Sequence, residues 1–179
     1  MAAPPEITLK NLSGKFALNK TLSDSNDPIL KIQGVGWVQR KAIGAASLTL
    51  TIKQYIDDAG KTHLDMEGKP TGGPAQLEQR ILDWDVESEV SHPLFGKGKA
   101  RSKWVKKEEI TDEYLAKGWE DGSDELILTE TKLDAGSTST LVHGFELVDG
   151  KRHYVRHVVV VKGGETANVR MVYDYAGSA

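Results

Sequence analysis

Cysteine is absent from the 179 residues, so the chain has neither a disulfide framework nor a thiol nucleophile. Long apolar runs are absent as well. None approaches the ~20 residues of a bilayer span, and the opening MAAPPEITLK lacks the basic-then-apolar layout of a secretory leader. There is no basic excess: 23 Lys and Arg against 26 Asp and Glu give a formal charge of -3, which argues against nucleic acid as a partner. Nor is there a disordered composition, with 27% charged and 39% hydrophobic residues. Catalytic signatures are equally scarce. No serine sits in a Gly-x-Ser-x-Gly elbow, and Gly34-x-Gly36 lacks the third glycine of a nucleotide loop. Of five histidines only His153 and His157 have a suggestive spacing, and on a strand that spacing means ~13 Å, too far for one metal. Neither metal nor cofactor is expected. What remains is a single domain over residues 7–176 behind a loose tail at 1–6, expected to be a cytoplasmic monomer.

What is present is alternation. Leu12, Gly14, Phe16 and Leu18 share one face of a first strand, and Leu48, Leu50 and Ile52 alternate with Thr49, Thr51 and Lys53. Between them, Asp24-Ser25-Asn26-Asp27-Pro28 reads as a helix start. A short apolar stripe at Ile29, Leu30 and Ile32 runs up to GVGWVQRK, and a second short helix follows over Trp37–Ala46. Later runs at 78–84, 99–105, 125–131, 140–147, 152–161 and 166–175 are separated by Gly-containing turns, as in an antiparallel meander. Thr111–Gly118, with a cap, early acids and a terminal glycine, is a helical insert in one loop. Closing so long a sheet removes its exposed edges. The expected fold is an all-β, antiparallel up-and-down β-barrel of about ten strands with a short helix-turn-helix lid.

These residues resemble the intracellular lipid-binding proteins, the fatty-acid-binding and retinoid-binding family of the calycin group. Leu12-x-Gly14-x-Phe16-x-Leu18 corresponds to that family's first strand. The Gly-Val-Gly-x-x-x-Arg-Lys signature of its second helix is intact at Gly34, Val35, Gly36, Arg40 and Lys41. The resemblance implies that the glycines turn the chain between two helices over the barrel mouth. It also implies that Arg40 and Lys41 face solvent there, where a positive field would draw in acidic ligands or allow transient membrane contact. The chain departs from the family in length, mainly after residue 85. Phe16 stands where the family has Trp. The family's C-terminal Arg-x-Tyr carboxylate clamp is missing, because Arg170 and Tyr173 are three apart and point to opposite faces of a strand.

Strand parity and the resemblance together nominate Phe16, Val35, Trp37, Ile43, Met66, Trp104, Tyr154, Arg156, Arg170 and Tyr173 as ligand contacts. At least one of Arg156 and Arg170 is expected inside the cavity, while Trp37, Trp84, Trp104 and Trp119 read first as core or lid packing. Asp83, Asp85, Glu87 and Glu89 read as a solvated edge. The function implied is a carrier of a small hydrophobic ligand such as a fatty acid, polyketide or terpenoid. A cofactor-free cyclase or isomerase using the same cavity is the alternative, since such catalysis needs shape and hydrogen-bond donors rather than a nucleophile.

Overall fold

Alternating β-formers and glycine turns produce ten strands in the computed structural model, which describes residues 1–179. They are β1 (Gly14–Leu18), β2 (Leu48–Ile56), β3 (Thr62–Pro70), β4 (Gln76–Ile81), β5 (Asp83–His92), β6 (Gly96–Lys106), β7 (Glu125–Leu133), β8 (Ser137–Val148), β9 (Lys151–Lys162) and β10 (Glu165–Gly177). Every ladder is antiparallel, in the order β4-β3-β2-β1-β10-β9-β8-β7-β6-β5. The sheet curls into a nearly closed barrel whose two end strands, β4 and β5, share no ladder. The run at 78–84 is therefore two strands rather than one. It breaks at Leu82, which is buried and forms a lone bridge to Ser102.

The helical lid forms as expected, with α1 (Asp27–Ile32) and α2 (Trp37–Ala45). Only α1 packs inward. Ile29 and Ile32 lie on a cluster of Leu141, Val158, Val160 and Val169, and Leu30 is buried. No residue of α2 is buried. Arg40, expected to face solvent freely, instead staples the two helices: Nε donates to Asp27 Oδ1 at 3.0 Å and Nη1 to the Val35 carbonyl at 2.9 Å. Lys41 is exposed.

The turn between the helices needs one glycine, not two. Gly34 has φ +88°, whereas Gly36 has φ -62° and ψ 152°, which any residue adopts. Space is open around Gly34 and only Gln39 Oε1, at 3.9 Å, lies near a Cβ on Gly36. Gly34→Val is therefore expected to cost about 1–2 kcal/mol through backbone strain alone, and Gly36→Val a few tenths, about the size of an ordinary surface substitution. Chemical denaturation of the two variants checks this; equal losses would mean that the hinge is not a backbone effect.

The opposite end of the barrel is also closed. Residues 1–6, expected to be a loose tail, are bound there. The Ala3 amide donates to the Arg152 carbonyl, the Tyr175 amide donates to the Met1 carbonyl, and Ala3, Ile7, Leu9 and Leu12 are buried. Arg152 at the start of β9 ties this segment to the β6–β7 insert, donating to the Ile7 carbonyl at 2.7 Å and to Glu120 at 2.8 Å.

The insert covers the outside of the wall. After a 3-10 turn at Lys107–Glu109, Asp112 caps α3 (Glu113–Ala116) by accepting from the Tyr114 and Leu115 amides. Trp119, held by its indole N–H to the Leu115 carbonyl, lies against His157 with ring centres 4.4 Å apart. Six consecutive residues of β8, Leu141 to Glu146, are consequently buried on both faces. No helix is long and apolar enough to cross a membrane.

Candidate functional site: the barrel cavity

Inside the barrel the even residues of β9 point inward, and so do Met171 and Tyr173 of β10. Phe16, Tyr154 and Tyr173 are fully buried and pack together with tilted rings, Phe16 to Tyr154 at 5.0 Å and Tyr154 to Tyr173 at 5.5 Å between ring centres. Above these rings lies a cavity of about 360 Å³, bounded by Arg156, Val158, Val160 and Met171, by β4 and by the far part of β5, with Ile29 and Leu30 of α1 and the following Gln33 at its mouth. That size is at the lower end of small-molecule sites.

Its polar groups form one cluster. Arg80 on β4 donates from Nη2 to Glu78 Oε2 at 2.7 Å, while its Nε and Nη1 are buried with no protein partner. Arg156 Nε is likewise unpartnered, and the Tyr173 hydroxyl points to Met171 Sδ at 3.8 Å. His143 is fully buried, with Nδ1 2.5 Å from the Tyr154 hydroxyl and Nε2 unpartnered. Burial pushes the His143 imidazole well below its usual range, helped by Arg156 and Arg80. It also pushes the Tyr154 and Tyr173 phenols up, although Arg156 opposes this. All three are therefore neutral. Burial raises the Glu78 carboxyl too, but the Arg80 and Arg156 guanidiniums outweigh it and hold Glu78 ionised. A buried donor without an acceptor costs about 1–3 kcal/mol. Several in one chamber mark where an oxygen-bearing guest would be held.

The expected contacts sort unevenly. Of these only Arg156 lines the cavity; Tyr154 and Tyr173 are fully buried below it, with Phe16 and Met66 in the packed core. Arg170 does not enter: it projects outward and donates from Nε to Glu146 at 2.8 Å. Met171 takes the inward position two before Tyr173 where the resemblance places an arginine. Arg156, registered directly opposite Met171, brings the guanidinium from the neighbouring strand. Trp37 is 63% exposed, so it is not a cavity contact. Val35 is buried, but it does not line the cavity. Trp104 sits at the closed end under the Lys10 ammonium, 3.9 Å from its ring centre. Ile43 lines a separate crevice of about 490 Å³ between α2 and the β1–α1 connection. Although larger, that crevice is a charged surface groove, and two of its three cations are already engaged, Lys20 by the Ala45 carbonyl and Arg40 by Asp27.

Glu78, Arg80 and His143 were not among the expected contacts. For β4 a signal existed in inverted form. In Gln76-Leu77-Glu78-Gln79-Arg80-Ile81 the polar set turns inward and Leu77 is left 61% exposed.

No family model matches the chain. Among solved structures, the REP1-NXSQ fatty acid transporter superposes with a TM-score of 0.60 at 21% identity, covering 94% of this chain and 98% of the other. The Drosophila melanogaster brain fatty-acid-binding protein gives 0.57 at 20% identity, covering 90% and 96%. At such identities the likeness concerns the fold, which is that of the fatty-acid-binding proteins. Two curated proteins are far more similar in sequence. The probable pericyclase scpY of Mollisia scopiformis is 38% identical over 181 residues, 98% of this chain and 95% of its own. The pericyclase pydY of an Acremonium species is 37% identical over 182 residues, 99% and 98%. With that identity sustained from end to end of both partners, the protein belongs to the family of these two pericyclases, carried on a fatty-acid-binding-protein barrel.

Proposed function

We propose that the protein is a cofactor-free pericyclase, which folds a hydrophobic polyene inside the barrel and guides its intramolecular ring closure. The observation that carries this reading is the set of unpartnered N–H groups on Arg156 and Arg80 within a chamber of mixed lining, where Leu141, Val158, Val160 and Met171 stand beside polar side chains such as Gln76, Thr129 and Ser139. The names of the two similar pericyclases support it. A pericyclic closure exchanges π bonds for σ bonds without gain or loss of atoms. It therefore needs no nucleophile, only a reactive fold and a donor. Confinement supplies the fold by removing the entropy of bringing the chain's ends together. Arg156 supplies the donor, aimed at a carbonyl conjugated with the reacting double bonds, where a preorganised hydrogen bond stabilises the charge that develops. Tyr173 and the neutral Tyr154–His143 pair hold the floor in one arrangement.

The test is incubation with linear polyenes that bear a conjugated carbonyl, followed by chiral chromatography of products of unchanged mass. Accelerated formation of one stereoisomer is expected. Arg156→Met is expected to lower kcat about 10²-fold, the usual cost of losing one such donor. Wild-type protein that quenches its tryptophans on binding polyenes but accelerates nothing would overturn this reading. It would favour a carrier of hydrophobic ligands, for which the fold itself speaks. Trp37 and Val38, exposed on α2, would then be the surface for transient contact with a membrane.

A further inference from the structure

The geometry points to a second activity in the chamber, prototropic isomerisation of an unsaturated carbonyl compound, with Glu78 as the base that moves the proton. It rests on the barrel cavity being the ligand site, but it employs a group that ring closure leaves idle. A pericyclic step transfers no proton, so the donors of Arg156 and Arg80 serve it without a carboxylate.

Glu78 is placed as a base is. On β4 it registers against Met66, as Arg80 does against Leu64, and both partners are buried, so the even residues of this strand point inward. The Glu78 side chain nevertheless keeps 41% of its surface open, and the opening is into the chamber that it lines. Arg80 Nη2 holds Oε2 at 2.7 Å, which leaves Oε1 to the chamber. The other ionisable groups of the lining do not qualify. Arg80 and Arg156 stay protonated. Glu89 alternates with Val90 and His92 on β5 and is exposed at the rim. His92 accepts from the Leu94 amide at 3.1 Å through Nδ1, so in the neutral ring the remaining Nε2 carries the proton.

The step balances without a co-reactant. Arg80 is bonded to Glu78 through Nη2 and has Nη1 unpartnered, so a carbonyl accepted by Nη1 sets its α carbon beside the carboxylate. For a β,γ-unsaturated carbonyl compound, Oε1 takes the α proton. The C–H electron pair becomes a dienolate π bond, and the charge rests on the oxygen held by the guanidinium. The same carboxyl returns the proton to the γ carbon, the double bond moves into conjugation, and the mass is unchanged. The guanidiniums that keep Glu78 ionised weaken it as a base, but the same field stabilises the dienolate. A carboxylate of near-ordinary basicity suffices where a donor stands at the enolate oxygen. The product is a conjugated carbonyl compound, the electronic form that the proposed ring closure uses, so isomerisation comes first.

The experiment is incubation with a long-chain β,γ-unsaturated methyl ketone at neutral pH, followed by the ultraviolet absorbance of the conjugated enone. Wild-type protein is expected to conjugate it at least about 10²-fold faster than protein-free buffer, the lower end of general base catalysis. Glu78→Gln is expected to lose about 10²-fold in kcat with KM little changed, and Glu78→Asp to recover part of it. Wild-type protein that works no faster than buffer would overturn the inference, and that comparison needs no variant to fold. Wild-type kcat in Glu78→Gln would overturn it too, as would a loss confined to KM, which would leave Glu78 only shaping the chamber. The probe has a single C=C bond and cannot undergo the ring closure, so the two activities are read apart. Conjugation of the ketone without closure of any polyene would retain this base and remove the pericyclase reading, whereas closure without conjugation would do the reverse.

Discussion

Glu146→Ala is expected to lower the free energy of unfolding by about 3–5 kcal/mol, the usual result of removing one partner from a buried ionic network. Glu146 is 4% exposed on the outer face of β8. It accepts from His157 Nε2 at 2.6 Å and from Arg170, and His157 Nδ1 pairs with the Tyr114 carbonyl. One carboxylate therefore joins β8, β9, β10 and the insert. Burial raises its carboxyl, but the His157 and Arg170 contacts outweigh that and hold it below the usual glutamate range. A group whose folded pKa lies below its unfolded value adds stability that is complete above the unfolded pKa, about 4.3. That stability is lost as pH falls through the folded pKa. Glu146→Gln should accordingly be less stable at pH 7 and show a flatter acid limb below about pH 4. Urea melts at pH 7 and pH 3.5 measure both. A loss under 1 kcal/mol at pH 7 would mean that this network does not fasten the insert to the wall.

Gly144→Val is expected to cost a similar amount, about 3–5 kcal/mol, by expelling Trp119. A Cβ at Gly144 would overlap the six-membered ring of Trp119 and press on Leu126. Trp119 is 4% exposed, so expelling it loses about what deleting a large buried aromatic side chain does. The double variant Gly144→Val/Trp119→Ala should be little worse than Trp119→Ala alone, because the two changes remove one contact. Additive losses in thermal melts would show that the strand itself, rather than the indole, rejects the side chain.

These two residues also explain which parts of the molecule could be read from the chain. Strands with one wet face were legible: Leu48–Ile56 alternates in sequence and alternates in burial. The helix pair, the capped insert and the barrel followed from turns and apolar spacing. Which arginine faces inward was not legible, because alternation identifies the inner face only when the outer face is polar. On β8 and β9 the insert and the N-terminal segment make the outer face a second core. Val142, Val155 and His157 are buried like Leu141, Tyr154 and Val158, so parity separates Arg156 from Arg170 without saying which is inside. On β4 the opposite failure occurs. A charged interior and an exposed Leu77 imitate a surface strand turned the wrong way. The insert's boundaries could be seen, but its role depends on contacts with residues far away in sequence.

The missing ladder between β4 and β5 gives the wall a direction of compliance. Around the rest of the circumference, admitting a bulkier occupant would mean breaking rows of backbone hydrogen bonds. Along this one line no ladder opposes separation, and the Leu82–Ser102 bridge fastens only the β4–β5 corner, to β6. The same line carries Glu78 and Arg80 on one bank and His92 on the other. A change in the occupant's girth is thus absorbed where the polar clamp stands, while Tyr154 and Tyr173 keep their places. The rigid part of the chamber reads the occupant's outline, and the yielding part accommodates whatever shape it becomes.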